Sequence, residues 1–520
     1  MLLHDYLEYF AREIPRHPLV EMGDATLSYR ETDEQANRFA NSLLSNGLVK
    51  GDRFAYISKN SIDMVIMYYG ASKVGVIPVP LNYCLAPRES LYIINDSGSK
   101  MVFCQPEFIA GIESVRNELD SVSAFIVVDG DAEIVGWASL ESWRVEDANN
   151  PRAKVSESEQ LYQMYTSGTT GLPKGAMLSQ HSVCSNVEMV TLFAKMAVSN
   201  DRNLIVAPIY HAAAGMTMMS VVSNGNTLVL FPEFDARTVV ESLEKDRITM
   251  VTLVPAMIQA CLIDVPDLGE RDFPQLRRIT YGASPIALET LQNAMQKFRC
   301  DFAQGFGMTE ISCLGAGMGP EIHRRALAGE PGLLLSAGRA VLGTEIRIAD
   351  ENDIEVPRGT VGEIQVRGPH VMMGYWNKPE ASEKALRGGW MHSGDAACMD
   401  DEGFIYIQDR IKDMIISGAE NIYPAEIESA LFQHSAVADA AVIGIPSDKW
   451  GESVLAFLVL KEGESLEVDE VVEFCRSRLA GYKIPRRVEF IEEIPRNASG
   501  KVLKRDLREP YWKGHERRVV

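Results

Sequence analysis

Short apolar runs rich in Val and Ile alternate along most of the chain with amphipathic segments. RFAYIS at 53–58 precedes the apolar, helix-spaced stretch at 61–75, and NLIVAP at 203–208 precedes the stretch that begins at His211. The segment at 238–262 repeats the alternation, with helical spacing followed by the strand-like run ITMVTLV. This order predicts βα units and a largely parallel sheet, so we expect the first ~400 residues to be α/β.

The pattern changes near residue 410. A turn-rich stretch at 399–424 gives way to the helix-spaced AEIESALFQ and then to the strand-like AVADAAVIGI. This shorter alternation predicts a separate α+β lobe. Because 520 residues are too many for one hydrophobic core, we expect a large N-terminal domain of residues 1–411 and a C-terminal lobe of residues 412–520.

Composition and charge narrow the class of protein. Apolar residues make up 46% of the chain and charged residues 24%, as in an ordinary soluble protein. No apolar run approaches the roughly 18 residues of a membrane span, and the charged N-terminus does not resemble a signal peptide. We therefore expect a cytoplasmic protein without a transmembrane segment. The net charge of −21 argues against nucleic acid and anionic membranes as general partners.

The C-terminal end departs from this acidic balance. From Lys483 to Val520 there are eleven Lys and Arg residues against six Asp and Glu. Charge alone allows a solvated helical end or a lobe that handles polyanions. The eight cysteines are scattered without a C-x-x-C pair or a Cys/His cluster, so we expect them to be reduced thiols rather than metal ligands.

The most informative motif is YTSGTTGLPKG, from Tyr165 to Gly175. Its glycines allow a tight turn and close approach to a ligand, and its hydroxyls and Lys174 suit a polyphosphate. The spacing is not that of a Walker A loop. A flexible loop without function is the alternative interpretation of such a Gly/Ser/Thr run.

The order of residues in this loop closely resembles the signature of the adenylate-forming superfamily, which includes acyl-CoA synthetases, amino-acid adenylation domains and firefly-type luciferases. Further motifs resemble the same family in the family's order: PIYHAAAG at 208–215, YGASP at 281–285, QGFGMTE at 304–310, GEIQVRGPHVMMGYW at 362–376, HSGD at 392–395, DRIKDMIISGAENIYPAEIE at 409–428 and PRNASGKVLKRDL at 495–507. The resemblance favours the branch of fatty- or aryl-acid CoA ligases. It implies a large N-terminal domain of two α/β subdomains plus a small β-barrel, followed by a mobile α+β lobe.

The resemblance also implies roles in acid activation by ATP. Glu310 and Thr166 would hold Mg²⁺ on the phosphates, Lys501 would be the catalytic lysine between the acid and the phosphate, and Asp395 and Arg410 would bind the ribose. Phe306 would stack on adenine, where the family often has Tyr. The remaining nucleotide-binding positions implied are Ser167, Gly168, Thr169, Thr170, Gly171, Lys174, Ala283, Ser284, Gln304, Gly305, Gly307 and Thr309.

A second group of residues is implied for transfer to a thiol. Lys412 matches the hinge about which the small lobe of the family rotates. Gly418 would line the pantetheine path, although Ala419 departs from the usual SGGENI pattern. Aromatic and cationic side chains suited to a nucleotide would bind CoA: Trp450, Tyr482, Lys483 and Arg486.

The acyl pocket is expected near small and apolar residues: His211, Ala212, Ala214, Gly282 and Met308. Amino-acid-activating relatives usually carry an Asp in the motif that reads PIYH here, so we do not expect a free amino acid as substrate. The sequence leaves open whether the acid is a fatty acid or a cyclic or aromatic one. His211 can border the carboxylate, but an isolated His is commonly a satisfied core residue.

The function expected from the resemblance is that of an AMP-forming acyl-CoA synthetase, an acid–thiol ligase using ATP, Mg²⁺ and coenzyme A. The main alternative is a ligase that loads the phosphopantetheine of a carrier protein. A luciferase-like oxygenase has no support in the residues. A non-catalytic adenylate-binding protein predicts decay at Lys501, Glu310 or Asp395, which are all intact. The sequence leaves the oligomeric state open.

Overall fold

A computed structural model describes residues 1–130, 134–166, 172–196, 201–284, 286–411, 413–417, 420–447, 449–496 and 502–513, with the backbone alone for residues 420 and 421. Its helices are α1 (Leu3–Glu13), α2 (Tyr29–Ser45), α3 (Ile62–Val74), α4 (Pro87–Ser97), α5 (Ile109–Glu113), α6 (Leu140–Trp143), α7 (Gln180–Ala194), α8 (Ala212–Val222), α9 (Ala236–Lys245), α10 (Pro255–Asp264), α11 (Leu288–Phe298), α12 (Pro320–Leu327), α13 (Pro379–Ala385), α14 (Pro424–Leu431), α15 (Val468–Arg476) and α16 (Lys504–Trp512).

The strands, in chain order, are β1 (Pro18–Met22), β2 (Ala25–Ser28), β3 (Arg53–Ile57), β4 (Ile77–Leu81), β5 (Ser99–Cys104), β6 (Ala124–Val127), β7 (Ala138–Ser139), β8 (Gln160–Thr166), β9 (Lys174–Ser179), β10 (Arg202–Ile205), β11 (Thr227–Leu230), β12 (Met250–Thr252), β13 (Arg278–Gly282), β14 (Asp301–Phe306), β15 (Ala316–Met318), β16 (Arg339–Ala340), β17 (Glu345–Ala349), β18 (Gly362–Arg367), β19 (Gly374–Tyr375), β20 (Met391–Met399), β21 (Ile405–Arg410), β22 (Ile415–Ser417), β23 (Glu420–Ile422), β24 (Val437–Ser447), β25 (Gly451–Leu460) and β26 (Arg487–Phe490).

Two sheets confirm the predicted α/β character of the N-terminal part. Within the described residues, nine strands form one sheet in the order β16-β15-β14-β13-β12-β10-β11-β1-β2, and five form another in the order β4-β3-β5-β6-β7. The second sheet is parallel throughout, and the first is parallel from β14 to β1. The carboxyl ends of parallel strands share one edge of a sheet, which is where such folds bind ligands.

Helix α3 shows how the sequence forms one of these βα units. The Ser61 hydroxyl accepts a hydrogen bond from the Met64 N–H at 3.2 Å and caps the first turn. Gly75 ends the helix in the left-handed region, with φ of 68°, which glycine adopts at no steric cost. The helix is buried on nearly all sides, so it carries apolar residues around its circumference rather than on one face.

Antiparallel sheets complete the N-terminal part. Strands β19, β9 and β8 pair in that order, and β17, β18, β20 and β21 form a further sheet. The second of these sheets is antiparallel throughout. It carries the HSGD motif on β20 and the start of the DRIKD motif on β21.

The C-terminal lobe has its own sheet and core. Strands β23, β22, β25 and β24 pair in that order, and β26 adds to β25 in parallel. Helices α14 and α15 pack over a core of aliphatic residues that includes Ile427 and Val471. The α+β character of this lobe is therefore confirmed, whereas its boundary between residues 411 and 412 stays a prediction. Among the helices of the described ranges, none combines the length and apolarity needed to cross a membrane.

Candidate active site

Strands β8 and β9 flank the phosphate-loop motif. Their antiparallel register sets Thr166 opposite Lys174 and Tyr165 opposite Gly175. A Cβ on Gly175 would lie 2.6 Å from the side-chain amide of Gln163, so the close approach of the two strands requires glycine here. The hydroxyl of Thr166 and the amine of Lys174 therefore lie at the two ends of one loop.

Glu310 lies in a 3₁₀ turn, Thr309–Ile311, beyond the carboxyl end of β14. Its side chain is buried, and Oε1 accepts hydrogen bonds from the Thr166 hydroxyl at 3.3 Å and from the Tyr375 hydroxyl at 2.9 Å. A Cβ on Gly307 would overlap the carbonyl of Cys313, so glycine is needed where the chain doubles back before this turn. The turn brings the carboxylate to the start of the phosphate loop.

Tyr375 is a site residue that the sequence patterns did not single out, although it lies within the quoted motif GYW. Burial raises the pKa of Tyr375, and the charge of Glu310 raises it further, so the phenol keeps its proton at neutral pH and donates. The nearby cation Arg410 opposes this shift, which shows that Arg410 lies near the same group. Antiparallel pairing of β19 with β9 sets Tyr375 opposite Ala176.

The ends of β13 and β14 form the next wall of the site. Gly282 pairs with Gly305, and a Cβ on Gly282 would overlap the Gly305 carbonyl. Ala283 follows with φ of 68°, a conformation that costs energy in a residue other than glycine and is common at functional sites. Gln304 Oε1 is buried and has no hydrogen-bond partner among the described residues, so it is an acceptor suited to a ligand N–H or O–H.

The buried Asp395 and the half-buried Arg410 form an ion pair on adjacent strands. They lie opposite each other on β20 and β21, with Arg410 Nε 2.7 Å from Asp395 Oδ1. Arg410 also donates to the Ser393 carbonyl at 3.1 Å, and the Ser393 hydroxyl accepts from the Asp395 N–H at 3.0 Å. These bonds hold the carboxylate in one orientation beside the turn at Gly394.

A cluster of Asp353, Glu363 and His392 lies behind that turn and could offer three ligand atoms to a metal. Its carboxylates already have partners within the protein. Arg387 lies 3.0 Å from Asp353, and Glu363 hydrogen-bonds His392 Nδ1 at 2.7 Å. Glu363 also accepts from the Gly394 N–H at 3.0 Å. The cluster therefore braces the turn that precedes Asp395.

Three of the predicted acyl-pocket residues, His211, Ala212 and Ala214, lie at the start of α8, while Gly282 ends β13 and Met308 follows β14. His211 precedes the helix, its ring 4.5 Å from that of Tyr210, and its Nε2 has no hydrogen-bond partner among the described residues. Burial lowers the pKa of His211 to about 4, so the imidazole is neutral at pH 7. Ala212 and Met308 are partly buried against the main core. Ala214 is buried in that core, and its role as a pocket residue stays a prediction.

The four predicted CoA-binding residues that the structure describes lie on the C-terminal lobe. The guanidinium carbon of Arg486 is 5.1 Å from the ring centroid of Trp450, and Tyr482 is 39% exposed. Lys483 Nζ lies 2.7 Å from both carboxylate oxygens of Glu426. A phosphate would therefore compete with Glu426 for Lys483, whereas Arg486 is exposed beside the half-buried Trp450.

The junction of the two parts carries a network that the sequence patterns also did not reveal. Asp409 accepts from the Ala425 N–H at 3.0 Å and lies 3.7 Å from Lys504, which pairs with Glu428 at 2.9 Å. Asp413 pairs with Arg508 at 2.6 Å. Although burial opposes it, the carboxylates raise the pKa of Lys504, which therefore stays charged. These contacts bracket the predicted hinge position.

Several predicted residues lie outside the described residues: Ser167, Gly168, Thr169, Thr170, Gly171, Lys412, Gly418 and Lys501. Their roles stay predictions from the motifs. Thr166 and Lys174 are described residues on either side of the loop, and Asp409 and Asp413 are described residues on either side of position 412.

Comparison with known proteins agrees with the fold and the motifs. Residues 7–376 match the AMP-binding enzyme family and residues 426–501 match the AMP-binding enzyme C-terminal domain. The fatty acid–[acyl-carrier-protein] ligase ScoC of Streptomyces coeruleorubidus is 34% identical, over 98% of this chain and 96% of its own. The long-chain-fatty-acid–CoA ligase FadD13 of Mycobacterium tuberculosis is 37% identical, over 94% of each chain. The structure of the anthranilate CoA ligase AuaEII with anthranoyl-AMP superposes with a TM-score of 0.89 at 25% identity, over 98% of this chain and 97% of that one.

The chain belongs to the family of AMP-binding enzymes. The resemblance to adenylate-forming enzymes and the expected architecture, a large N-terminal domain with a small C-terminal one, are thereby confirmed. So is the prediction that the chain is an enzyme of the AMP-forming ligase class.

Proposed function

We propose that the protein is an AMP-forming acyl-CoA synthetase that activates an apolar carboxylic acid, fatty or aromatic, and passes the acyl group to the thiol of coenzyme A. The observation that carries the proposal is the buried Glu310 carboxylate, hydrogen-bonded to Thr166 at the start of the phosphate loop. This hydrogen bond places a carboxylate that could hold a cation beside the loop predicted to bind the phosphates. Acid activation by ATP requires such a cation, because the acid and the phosphates are both negative.

In the first step a carboxylate oxygen of the acid attacks the α-phosphorus of ATP. The bond from that phosphorus to the β-phosphate breaks, and pyrophosphate leaves with the electron pair. Lys174 and the predicted Lys501 lower the repulsion between the two anions. Asp395, held by Arg410 at 2.7 Å, is oriented to accept hydrogen bonds from the ribose hydroxyls.

Glu310 suits Mg²⁺ as a ligand. Its hydrogen bonds to described residues both reach Oε1, so Oε2 faces no competing donor among them, and the carboxylate is a hard oxygen ligand beside the phosphates. Thr166 supplies a neighbouring hydroxyl. When bound, the ion would neutralise charge on the phosphates.

In the second step the thiol sulfur attacks the carbonyl carbon of acyl-AMP, loses its proton to solvent, and AMP leaves. The predicted hinge at Lys412 lies between two contacts of different kinds. Asp409, before it, contacts the lobe residues Ala425 and Lys504, while Asp413, after it, pairs with Arg508 of the same lobe. Rotation about residue 412 would break the first set and keep the second, which supports Lys412 as the pivot.

The alternative acceptor is a carrier protein. It is favoured by the likeness to ScoC, a ligase named for an acyl carrier protein, and by the engagement of Lys483 with Glu426. We prefer CoA because Trp450 and Arg486 offer an aromatic face and a cation side by side, which suits a nucleotide. The cytoplasmic location stays a prediction, and the acyl chain and the oligomeric state stay open.

The test is pyrophosphate release across a panel of fatty, aryl and amino acids, with and without CoA, with products identified by mass. We expect acyl-CoA and AMP from an apolar acid and no turnover of amino acids. Acyl-AMP that accumulates in the presence of CoA would point to the carrier protein. No acid-dependent pyrophosphate with any acid would overturn the proposed function.

Replacing Tyr375 with Phe should lower acid-dependent pyrophosphate release about tenfold, since a hydrogen bond to a charged group contributes roughly 1.5–3 kcal/mol. The ring stays, so only the hydroxyl that donates to Glu310 is lost. Tyr406→Phe is the matched control, because its hydroxyl donates to Asp400 at 3.2 Å, a contact outside the candidate site. Equal rates for the two variants would show that the Tyr375 hydroxyl has no role in activation.

A further inference from the structure

Asp96, in the last turn of α4, contacts two distant segments of the chain. Its Oδ2 accepts from the Tyr165 hydroxyl at 2.7 Å, and its Oδ1 lies 3.5 Å from Lys378 Nζ. Its main-chain carbonyl accepts from the indole N–H of Trp376 at 3.0 Å. The side chain is only 12% exposed, so water screens these contacts weakly.

The partners of Asp96 are the chain neighbours of the groups that hold Glu310. Tyr165 precedes Thr166, and Trp376 follows Tyr375. Thr166 and Tyr375 both donate to Glu310 Oε1. One aspartate therefore anchors the residues next to both donors, although it has no described hydrogen bond to Glu310 itself.

Other bonds tighten the same anchor. The Tyr92 hydroxyl, one turn earlier on α4, donates to the Pro173 carbonyl at 3.2 Å, on the far side of the phosphate loop. The Trp376 N–H donates to the Gly175 carbonyl at 2.8 Å. The guanidinium of Arg53 lies 4.1 Å from the Trp376 ring centroid. Helix α4 therefore contacts β8 through Tyr165, and it contacts the residue that precedes β9, Pro173.

The Tyr165 phenol is held by two hydrogen bonds in this anchor. Its hydroxyl donates to Asp96 Oδ2 at 2.7 Å and accepts from the side-chain amide of Gln163 at 3.1 Å. A Cβ at Gly175 would lie 3.0 Å from the Tyr165 ring, so the ring is also confined by the opposite strand.

We propose that the Asp96 side chain is a positioning residue for acid activation, which holds Thr166 at hydrogen-bonding distance from Glu310 through Tyr165. The inference rests on the proposed function and deepens it. Asp96 does not touch ATP or the acid in this scheme. Loss of its carboxylate frees the Tyr165 hydroxyl and displaces the Thr166 hydroxyl from Glu310, whereas the main-chain bond to Trp376 is kept in every variant. Small displacements of positioned groups reduce rates strongly.

The test measures the two half-reactions separately for Asp96→Ala and Asp96→Asn. For Asp96→Ala we expect kcat/KM for pyrophosphate release to fall about tenfold. The fall should come from a higher KM for ATP together with a lower kcat. Thioester formation from supplied acyl-AMP should stay at the parental rate, because Glu310 and its donors serve only the first step. Asp96→Asn keeps an oxygen that accepts from Tyr165, so it should recover most of the loss.

Asp63→Asn is the matched control, since Asp63 is also half-buried and pairs with a cation, Arg144, at 2.8 Å. If Asp96→Ala does not fold, Tyr165→Phe decides, because it removes only the hydroxyl bonded to Asp96. Equal loss of both half-reactions, or an unchanged KM for ATP and unchanged pyrophosphate release, would overturn the positioning role. Absence of acid-dependent pyrophosphate in the parent protein would instead overturn the proposed function, so the two failures are distinguishable.

Discussion

Replacing Lys501 with Ala should lower acid-dependent pyrophosphate release by about 10³-fold, because loss of one preorganised group that stabilises transition-state charge typically costs 10²–10³. Thioester formation from supplied acyl-AMP should be largely retained. The reason is that Lys501 is predicted to lie between two anions, the acid and the α-phosphate, which meet only in the first step. Separate assays of pyrophosphate release and of thioester formation check the prediction.

Lys461→Ala is the control for this variant, since Lys461 is an exposed lysine of the same lobe. It should leave both half-reactions unchanged. If Lys501→Ala reduced the two half-reactions equally, Lys501 would be needed for the structure of the lobe rather than for activation.

Replacing Glu310 with Gln should lower pyrophosphate release by about 10²-fold and raise the Mg²⁺ concentration needed for half-maximal rate. The amide keeps the shape of the side chain and can still accept from Thr166 and Tyr375, so the change removes mainly the charge that attracts the ion. A titration of pyrophosphate release against Mg²⁺ at fixed ATP measures both effects.

Glu21→Gln is the matched control, because Glu21 is half-buried and paired with Arg202 at 2.8 Å, in contacts that involve no candidate site residue. Its Mg²⁺ dependence should equal that of the parent. A Glu310→Gln enzyme with an unaltered Mg²⁺ requirement would exclude Glu310 as the ligand of the ion.

The two variants separate two ways of handling negative charge. Lys501→Ala should leave the Mg²⁺ requirement unchanged, since its amine acts on the acid and the α-phosphate. Glu310→Gln should alter that requirement. The predictions thus assign the neutralisation of the reacting groups to a lysine on the C-terminal lobe, and that of the phosphates to Mg²⁺ that would be held by an acid on the N-terminal part.

The chain's local patterns were sufficient to predict several of its βα elements and to name candidate site residues, whose roles stay predictions. The alternation of apolar and amphipathic segments predicted β3 with α3 and α9 with β12, because each unit buries an apolar strand beside a helix of adjacent sequence. Contiguous motifs likewise indicated Glu310, Asp395 and the phosphate loop, since a turn that presents a catalytic group is encoded within a few residues. For the same reason the motifs were sufficient for the resemblance to adenylate-forming enzymes, which the family match confirms.

Contacts between distant parts of the chain were decided only by the tertiary structure. Tyr375 reaches Glu310 across 65 residues and Trp376 reaches Asp96 across 280. The engagement of Lys483 by Glu426 and of Lys504 by Asp409 and Glu428 also depends on how strands and helices pack. Strand register and helix packing place these side chains together, and neither is written in a local pattern. The sequence by itself therefore determined the family and named candidate groups, and the fold determined which side chains share a hydrogen bond, because such contacts join residues far apart in the chain.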